Sequence, residues 1–257
     1  MTPLLRAEAL SLRHEDRGLL EALNLSLMPG QCWVVLGPNG AGKSTLLETL
    51  AGLRAPNEGE VHLHGRPLGD FRPRERARQI GLLLQQDGTG LHNSVLDLAL
   101  TGSYPRKRHW WDTPEEIFAA HRALEQTGLG ERAGQTTDTL SGGELRRAQI
   151  ARLLVQDPTV ALLDEPLANL DIAQQARIAH LLKDRFSGPD RVLMMVLHDL
   201  DLALTLASHC LLLDGSGAWL AGPRQEIASE RHLTRLFGQP VRREASGHLV
   251  IDWETTS

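Results

Sequence analysis

Short apolar runs recur along the chain at positions 32–36, 80–84, 160–163, 192–197 and 210–213. Each is continuous rather than alternating and too short for a convincing helix, the pattern of strands buried on both faces of a parallel sheet. Helix-length segments separate most of them. The pattern therefore predicts an α/β domain with a mainly parallel sheet and active loops at the carboxyl ends of its strands. The first thirty residues and the stretch GEVHLHG at 59–65 alternate more, which predicts an antiparallel β flank. From Leu91 to Thr139 the strand runs stop and helical patterning takes over, with TPEE at 113–116 offering a helix start with proline in its first turn. This is a helical subdomain inserted into the core, spanning about 91–157 once the helix after LSGGE is included. No internal repeat or low-complexity segment interrupts the single domain of residues 1–257.

At 257 residues, 41% hydrophobic and 23% charged, the chain can bury a full core without disulfide or metal staples. Its net charge of −5 gives no support to a nucleic-acid surface, and the basic clusters at 72–78 and 106–108 read as solvated faces. Cys32 and Cys210 adjoin or lie in apolar runs and read as buried, reduced thiols. No apolar run approaches the ~18 residues needed to span a bilayer. The opening MTPLLRAEAL lacks the basic start and long apolar stretch of a secretion signal, so work at a membrane requires another chain to bring this one there.

The chemistry concentrates at the ends of the strand runs. Gly37, Pro38, Asn39, Gly40, Ala41, Gly42, Lys43 and Ser44 fit G-x-x-x-x-G-K-[ST], with Thr45 following, between the strand CWVVL and the helix STLLETLAG. Glycines let the backbone wrap a polyphosphate so that amides and the helix N-terminus point at the anion. Lys43 is expected to pair with the β and γ phosphates and Ser44 to bind magnesium. An ordinary strand-to-helix turn rarely needs three glycines followed by an unpaired lysine. Asp164 and Glu165 close the run VALL, placed to divide the labour: Asp164 on magnesium, Glu165 as the base that polarises water. His198 ends another strand run and is placed to bond the γ-phosphate or orient the water. Gln85 ends the strand IGLLL, where its amide oxygen can join the metal shell when the segment swings in; Gln86 competes for that role. In LSGGELRRAQIARLL, Ser141 and Glu144 form a capping box ahead of a face carrying Leu145, Ala148, Ala151 and Val155. Capping does not require Gly142 and Gly143, each of which costs roughly 0.5–1 kcal/mol against alanine inside a helix, so something must approach this backbone.

GPNGAGKST, Gln85, LSGGE, VALLDEP, ANLD at 168–171 and the pair His198-Asp199 together resemble the ATP-binding cassette ATPases, in order and approximate spacing over nearly the whole chain. The resemblance implies ATP and Mg²⁺ as ligands. It also implies a head-to-tail dimer with a second copy, in which each ATP lies between one subunit's phosphate loop and the other's signature, Ser141, Gly142, Gly143 and Glu144. The signature glycines are then expected to look outward, to the partner's ATP. A helix N-terminus attracts an anion by about 0.3–1 kcal/mol when exposed, and hydrogen bonds to a charged phosphate add roughly 1.5–3 kcal/mol each. Asn169 and Asp171 fall in the loop that crosses the dimer, Asn169 where a smaller residue is more usual. His14 aligns with the family's adenine-stacking aromatic, and an imidazole sits at the weak end of such stacking, about 1 kcal/mol of a 1–3 range.

RARQIGLLLQQ, LALTGSYPRKRHW, LDIAQQARI and a C-terminal extension at about 222–257 are similar to the importer cassettes for ferric siderophores, haem and cobalamin. That kinship implies a transmembrane permease, a substrate-binding protein, a peripheral place at the cytoplasmic face of the inner membrane, and no nucleic-acid partner. Trp110 and Trp111 are candidates for the permease contact or for core packing. The rival reading is a cassette ATPase without a permease, such as an iron-sulfur assembly ATPase. A chromosome-maintenance ATPase needs a long coiled coil for which the span from Gln85 to Ser141 has no room, a tandem translation-factor cassette needs two sets of motifs, and a simple P-loop kinase or GTPase leaves LSGGE unexplained.

Overall fold

The computed structural model describes residues 2–15, 17–85, 94–244 and 248–252. Two long strands, β1 (Leu5–His14) and β2 (Arg17–Leu27), pair antiparallel, and the chain then enters the first parallel strand, β3 (Cys32–Leu36). After helix α1 (Lys43–Leu50) come β4 (Glu58–Leu63), which pairs antiparallel with β1, and the short β5 (Arg66–Pro67). Helix α2 (Pro73–Gln79) leads into β6 (Ile80–Leu83). From there to β7 the described chain is helical, with α3 (Val95–Leu100), α4 (Pro114–Gln126) and α5 (Gly142–Gln156). The core resumes with β7 (Val160–Asp164), α6 (Ile172–Phe186), β8 (Val192–Val196), α7 (Leu200–Leu206), β9 (His209–Leu213) and β10 (Trp219–Pro223). It ends in α8 (Arg224–Ile227), α9 (Glu230–Phe237) and the hairpin of β11 (Val241–Arg243) and β12 (Leu249–Ile251).

The main sheet has the order β10-β9-β3-β8-β7-β6, parallel except for the antiparallel β10 edge. Alternate residues of its strands feed two separate cores. Val34, Leu163, Met195 and Cys210 pack among α3 to α7, while Val35, Leu162, Met194 and Leu211 pack against α1 and the antiparallel flank of β1, β2 and β4. Burial on both faces is why the strands read as unbroken apolar runs. Cys32 and Cys210 are free and buried, and burial pushes their thiols up to about 11 and about 12.

Two expectations need correcting, for the end of β6 and for α5. The run 80–84 stops as a strand at Leu83, because the Leu84 carbonyl leaves the ladder and accepts from Arg146 at 2.6 Å. The clusters at 72–78 and 106–108 are solvated as expected, with Arg72, Arg74, Arg78, Arg106 and Arg108 exposed, and some of these arginines also hold carbonyls. Arg74 and Arg78 donate to the Pro105 carbonyl at 3.1 and 2.7 Å, and Arg106 donates to the Val155 carbonyl at 2.7 Å, binding the loop before α4 to α2 and to the end of α5. Helix α5 is buried well beyond its apolar stripe, with Arg146, Gln149, Ile150, Leu153 and Leu154 enclosed as well. Trp110 and Trp111 lie outside the core, 88% and 51% exposed, packed edge to face on each other. No helix among the described residues is long and apolar enough to cross a membrane.

Candidate active site

The phosphate loop runs from the end of β3 to the start of α1, and its conformation follows from its glycines. Gly42 caps α1 at φ +89°, a left-handed backbone that a side chain would strain. The loop and the first residues of α1 border a cleft of about 730 Å³. Asn39, Gly40, Gly42, Lys43, Ser44 and Thr45 line that cleft on one side, and Gln85, Asp164, Glu165 and His198 on another. These four come from the carboxyl ends of β6, β7 and β8, which stand side by side with β3 in the sheet. His14 and Arg17, paired across the β1–β2 hairpin, form a third wall.

Lys43 is 7% exposed, and its ammonium donates to the carbonyls of Gly37 and Pro38 at 2.8 and 2.9 Å. Burial lowers its pKa, opposed by the nearby charges of Glu165 and Asp164. Asp164 is 2% exposed, and burial raises its pKa against the effect of a hydrogen bond from Ser44. Glu165 has both carboxylate oxygens engaged: Oε1 lies 2.6 Å from His198 Nε2, and Oε2 accepts from the Gln85 amide at 3.1 Å. Its backbone is left-handed, φ +48°. The Gln85 group that meets the site is thus its amide nitrogen, on the carboxylate. Gln86 lies outside the described residues.

The signature segment lies apart from this cleft. Ser141 caps α5 by accepting from the Glu144 amide at 3.3 Å, and it donates its hydroxyl to Glu144 Oε2 at 2.8 Å. Bonds from the Ser141 amide and hydroxyl, with Arg132 beyond, hold the Glu144 carboxyl below its usual range. The two glycines differ. A Cβ on Gly143 would lie 2.5 Å from the backbone carbonyl oxygen of Asn169 in the same chain, whereas on Gly142 nothing would come nearer than 3.7 Å. The missing side chain of Gly143 is thus required by its own chain, a demand separate from whatever its amide meets on a partner. Asn169 takes the left-handed φ of +63° that asparagine tolerates better than most residues, and Asp171 caps α6 by accepting from Gln174 at 2.8 Å.

Residues 20–168 match the family model for ABC transporters. The chain belongs to the ABC transporter ATPases. The cassette is 37% identical to the ferric enterobactin transport ATP-binding protein FepC of Escherichia coli, over 91% of this chain and 87% of that protein. A solved structure described as a metal-chelate type ABC transporter in an inward-facing conformation superposes with a TM-score of 0.82 at 27% identity, covering 98% of each chain. A dimeric ATP-binding cassette in a post-hydrolysis state, bound to ADP and phosphate, superposes at 0.76 with 26% identity, covering 85% of this chain and 98% of that one. ATP is thus the cassette's substrate, and dimers occur among its structural relatives.

Two residues at the site carried no motif signal, Arg17 in the cleft wall and Arg146 beneath it. Arg17 donates to the Gly215 carbonyl at 2.9 Å, and its guanidinium stands 3.9 Å from where a Cβ on Gly40 would be. Its position across the hairpin from His14 is legible once β1 and β2 are paired. Arg146 reaches the backbone beneath the carboxylates from within α5.

Proposed function

We propose that this cassette powers uptake of a metal chelate through a separate permease, hydrolysing ATP between two copies of itself. The observation that carries the catalytic reading is the convergence of Lys43, Ser44, Asp164, Glu165, Gln85 and His198 on one cleft. Glu165 takes a proton from the attacking water as its oxygen bonds the γ-phosphorus, and the bond to the β-phosphate oxygen breaks with its electron pair leaving on ADP. His198 and Gln85 fix the orientation of the Glu165 carboxylate through their bonds to its two oxygens. Lys43 exchanges the Gly37 and Pro38 carbonyls for phosphate oxygens. Ser44 and Asp164 are hard oxygen donors already bonded to each other, the kind of pair that suits magnesium, with Gln85 as a third candidate ligand. When bound, the ion supplies neutralisation of phosphate charge.

Ser141 and Gly142 are the signature groups for the partner's ATP. To donate its hydroxyl to a phosphate, Ser141 must release Glu144. Asn169 and Asp171 lie in the loop that crosses the dimer, and His14 and Arg17 flank the nucleotide. A groove of about 430 Å³ between core and insertion, lined by Leu53, Arg76, Leu82, Tyr104 and Arg152, is the seat for a cytoplasmic helix of the permease. On this reading the cassette sits peripherally at the cytoplasmic face of the inner membrane and serves a transporter with a substrate-binding protein on the far side. The likeness to FepC and to the metal-chelate transporter supports a ferric siderophore, haem or cobalamin as cargo over the iron-sulfur assembly role.

The test is co-expression with a candidate permease, a chain with many apolar spans, followed by membrane fractionation and uptake assays with the three chelates. The expected result is recruitment to the membrane that is lost without the permease, and uptake of one of the chelates that is lost without ATP hydrolysis. A cassette that remains in the soluble fraction beside that protein favours the permease-free rival.

A further inference from the structure

Arg146 lies near the start of α5 and is 4% exposed, a rare degree of burial for a guanidinium. One of its terminal nitrogens donates to the Leu84 carbonyl at 2.6 Å and to Gln149 Oε1 at 3.2 Å. The other donates to the carbonyls of Asp164 and Glu165, the latter at 2.9 Å. The three carbonyls are not a random set. Leu84 precedes Gln85, and Gln85 and Glu165 are joined through their side chains. The guanidinium thus grips the backbone at both ends of that side-chain bond. It also grips Glu165 where its left-handed φ of +48° needs an external hold, beside the backbone bonds from the Glu165 amide to the Val196 carbonyl and from the Ala168 amide to the Glu165 carbonyl, both at 3.1 Å.

We propose that Arg146 is a positioning residue for ATP hydrolysis, which transmits the placement of α5 to the Glu165 carboxylate and Gln85. The same helix carries Ser141 and Gly142 at its first turn, five residues or fewer from Arg146 in sequence. A shift of α5 on engagement of the signature must therefore move Arg146, and with it the carbonyls beneath the base. Only a planar fork meets carbonyls on two strand ends at once; an ammonium presents its donors from a single point. The inference rests on the reading of Glu165 as the base.

The experiment measures ATPase rate, ATP affinity and melting temperature for the full-length chain carrying Arg146→Lys, Arg146→Gln, Glu165→Gln, and Arg146→Gln with Glu165→Gln. A displaced catalytic group costs roughly 10- to 100-fold, so both Arg146 variants are expected to lose turnover on that scale while ATP affinity stays within about threefold of wild type. In the Glu165→Gln background the Arg146→Gln change is expected to cost less than about twofold further, since residues acting as a unit are not additive. An unchanged rate in Arg146→Lys, or an equal loss in both backgrounds, overturns the proposal. Should Arg146→Gln melt too low to assay, Arg146→Lys is assayed alone and in the Glu165→Gln background with the same criteria. A Glu165→Gln chain that turns over normally defeats the reading of Glu165 instead, and is recognised separately.

Discussion

Glu165 combines a left-handed backbone, which costs a residue with a side chain about 1–3 kcal/mol, with two side-chain partners that occupy both of its oxygens. Strain held by this many contacts is the mark of a group that must point one way. Glutamine at this position keeps the shape and loses the basicity. Glu165→Gln is therefore expected to retain ATP binding and to lose roughly 10²–10⁴ in turnover, measured by nucleotide titration beside steady-state ATPase. A loss of affinity equal to the loss of rate would make Glu165 a binding group. The carboxylates, lysine and histidine were legible because each ends a buried strand or opens a helix, where a polar residue has little structural reason to be. Arg146 was not legible for the opposite reason. It falls off the stripe of Leu145, Ala148, Ala151 and Val155, where a helix of ordinary exposure would put it in water, and only the burial of α5 on further faces turns it inward.

Helix α5 shows how one element carries two demands. Its capping box was readable from Ser141 and Glu144 alone, since that spacing is set by local geometry. The reason for its glycines was not, because the contact that excludes a side chain at Gly143 comes from Asn169, in a loop whose approach depends on the tertiary fold. Alanine at Gly143 places a carbon against a backbone oxygen that cannot swing aside. Overpacking costs about 1–3 kcal/mol, and the gain in helix propensity, up to about 1 kcal/mol, offsets only part of it. Gly143→Ala is thus expected to melt below wild type, whereas Gly142→Ala, which meets only ordinary contact at 3.7 Å, is expected to melt at or above it and to lose ATPase through the dimer contact. Thermal denaturation of the two variants side by side decides this, and equal melting temperatures would mean that Asn169 yields. The strands tell the simpler story: burial on both faces made them visible at nearly their observed limits. The basic clusters face water as read, and their bonds to carbonyls were not legible because the Pro105 and Val155 carbonyls are brought to them only by the tertiary fold.

At the scale of the whole molecule, the phosphate loop and the signature of one chain belong to different surfaces: Ser141 to Glu144 do not line the cleft that holds Lys43 and Glu165. On the proposed reading, a complete site takes two chains related by a twofold axis, each supplying what the other's cleft lacks. This arrangement has a consequence that a single-chain site does not share. Lys43→Ala removes the cation that meets the phosphates, and Ser141→Arg places a long side chain where the partner must approach; each homodimer carries its lesion in both sites and is expected to be inactive. In a mixed dimer, the altered phosphate loop faces the altered signature, so both lesions fall on one nucleotide and the other site is intact. Equal mixing yields about half mixed dimers with one sound site each, and hence roughly a quarter of wild-type ATPase if the sites act independently. Both variants are first checked for folding by circular dichroism, and mixing is done with the permease present if the isolated cassettes do not associate. Recovery of activity on mixing supports assembly in trans. Two inactive proteins that stay inactive together, under conditions in which wild-type chains dimerise and turn over, would show that the signature serves its own chain or no nucleotide at all.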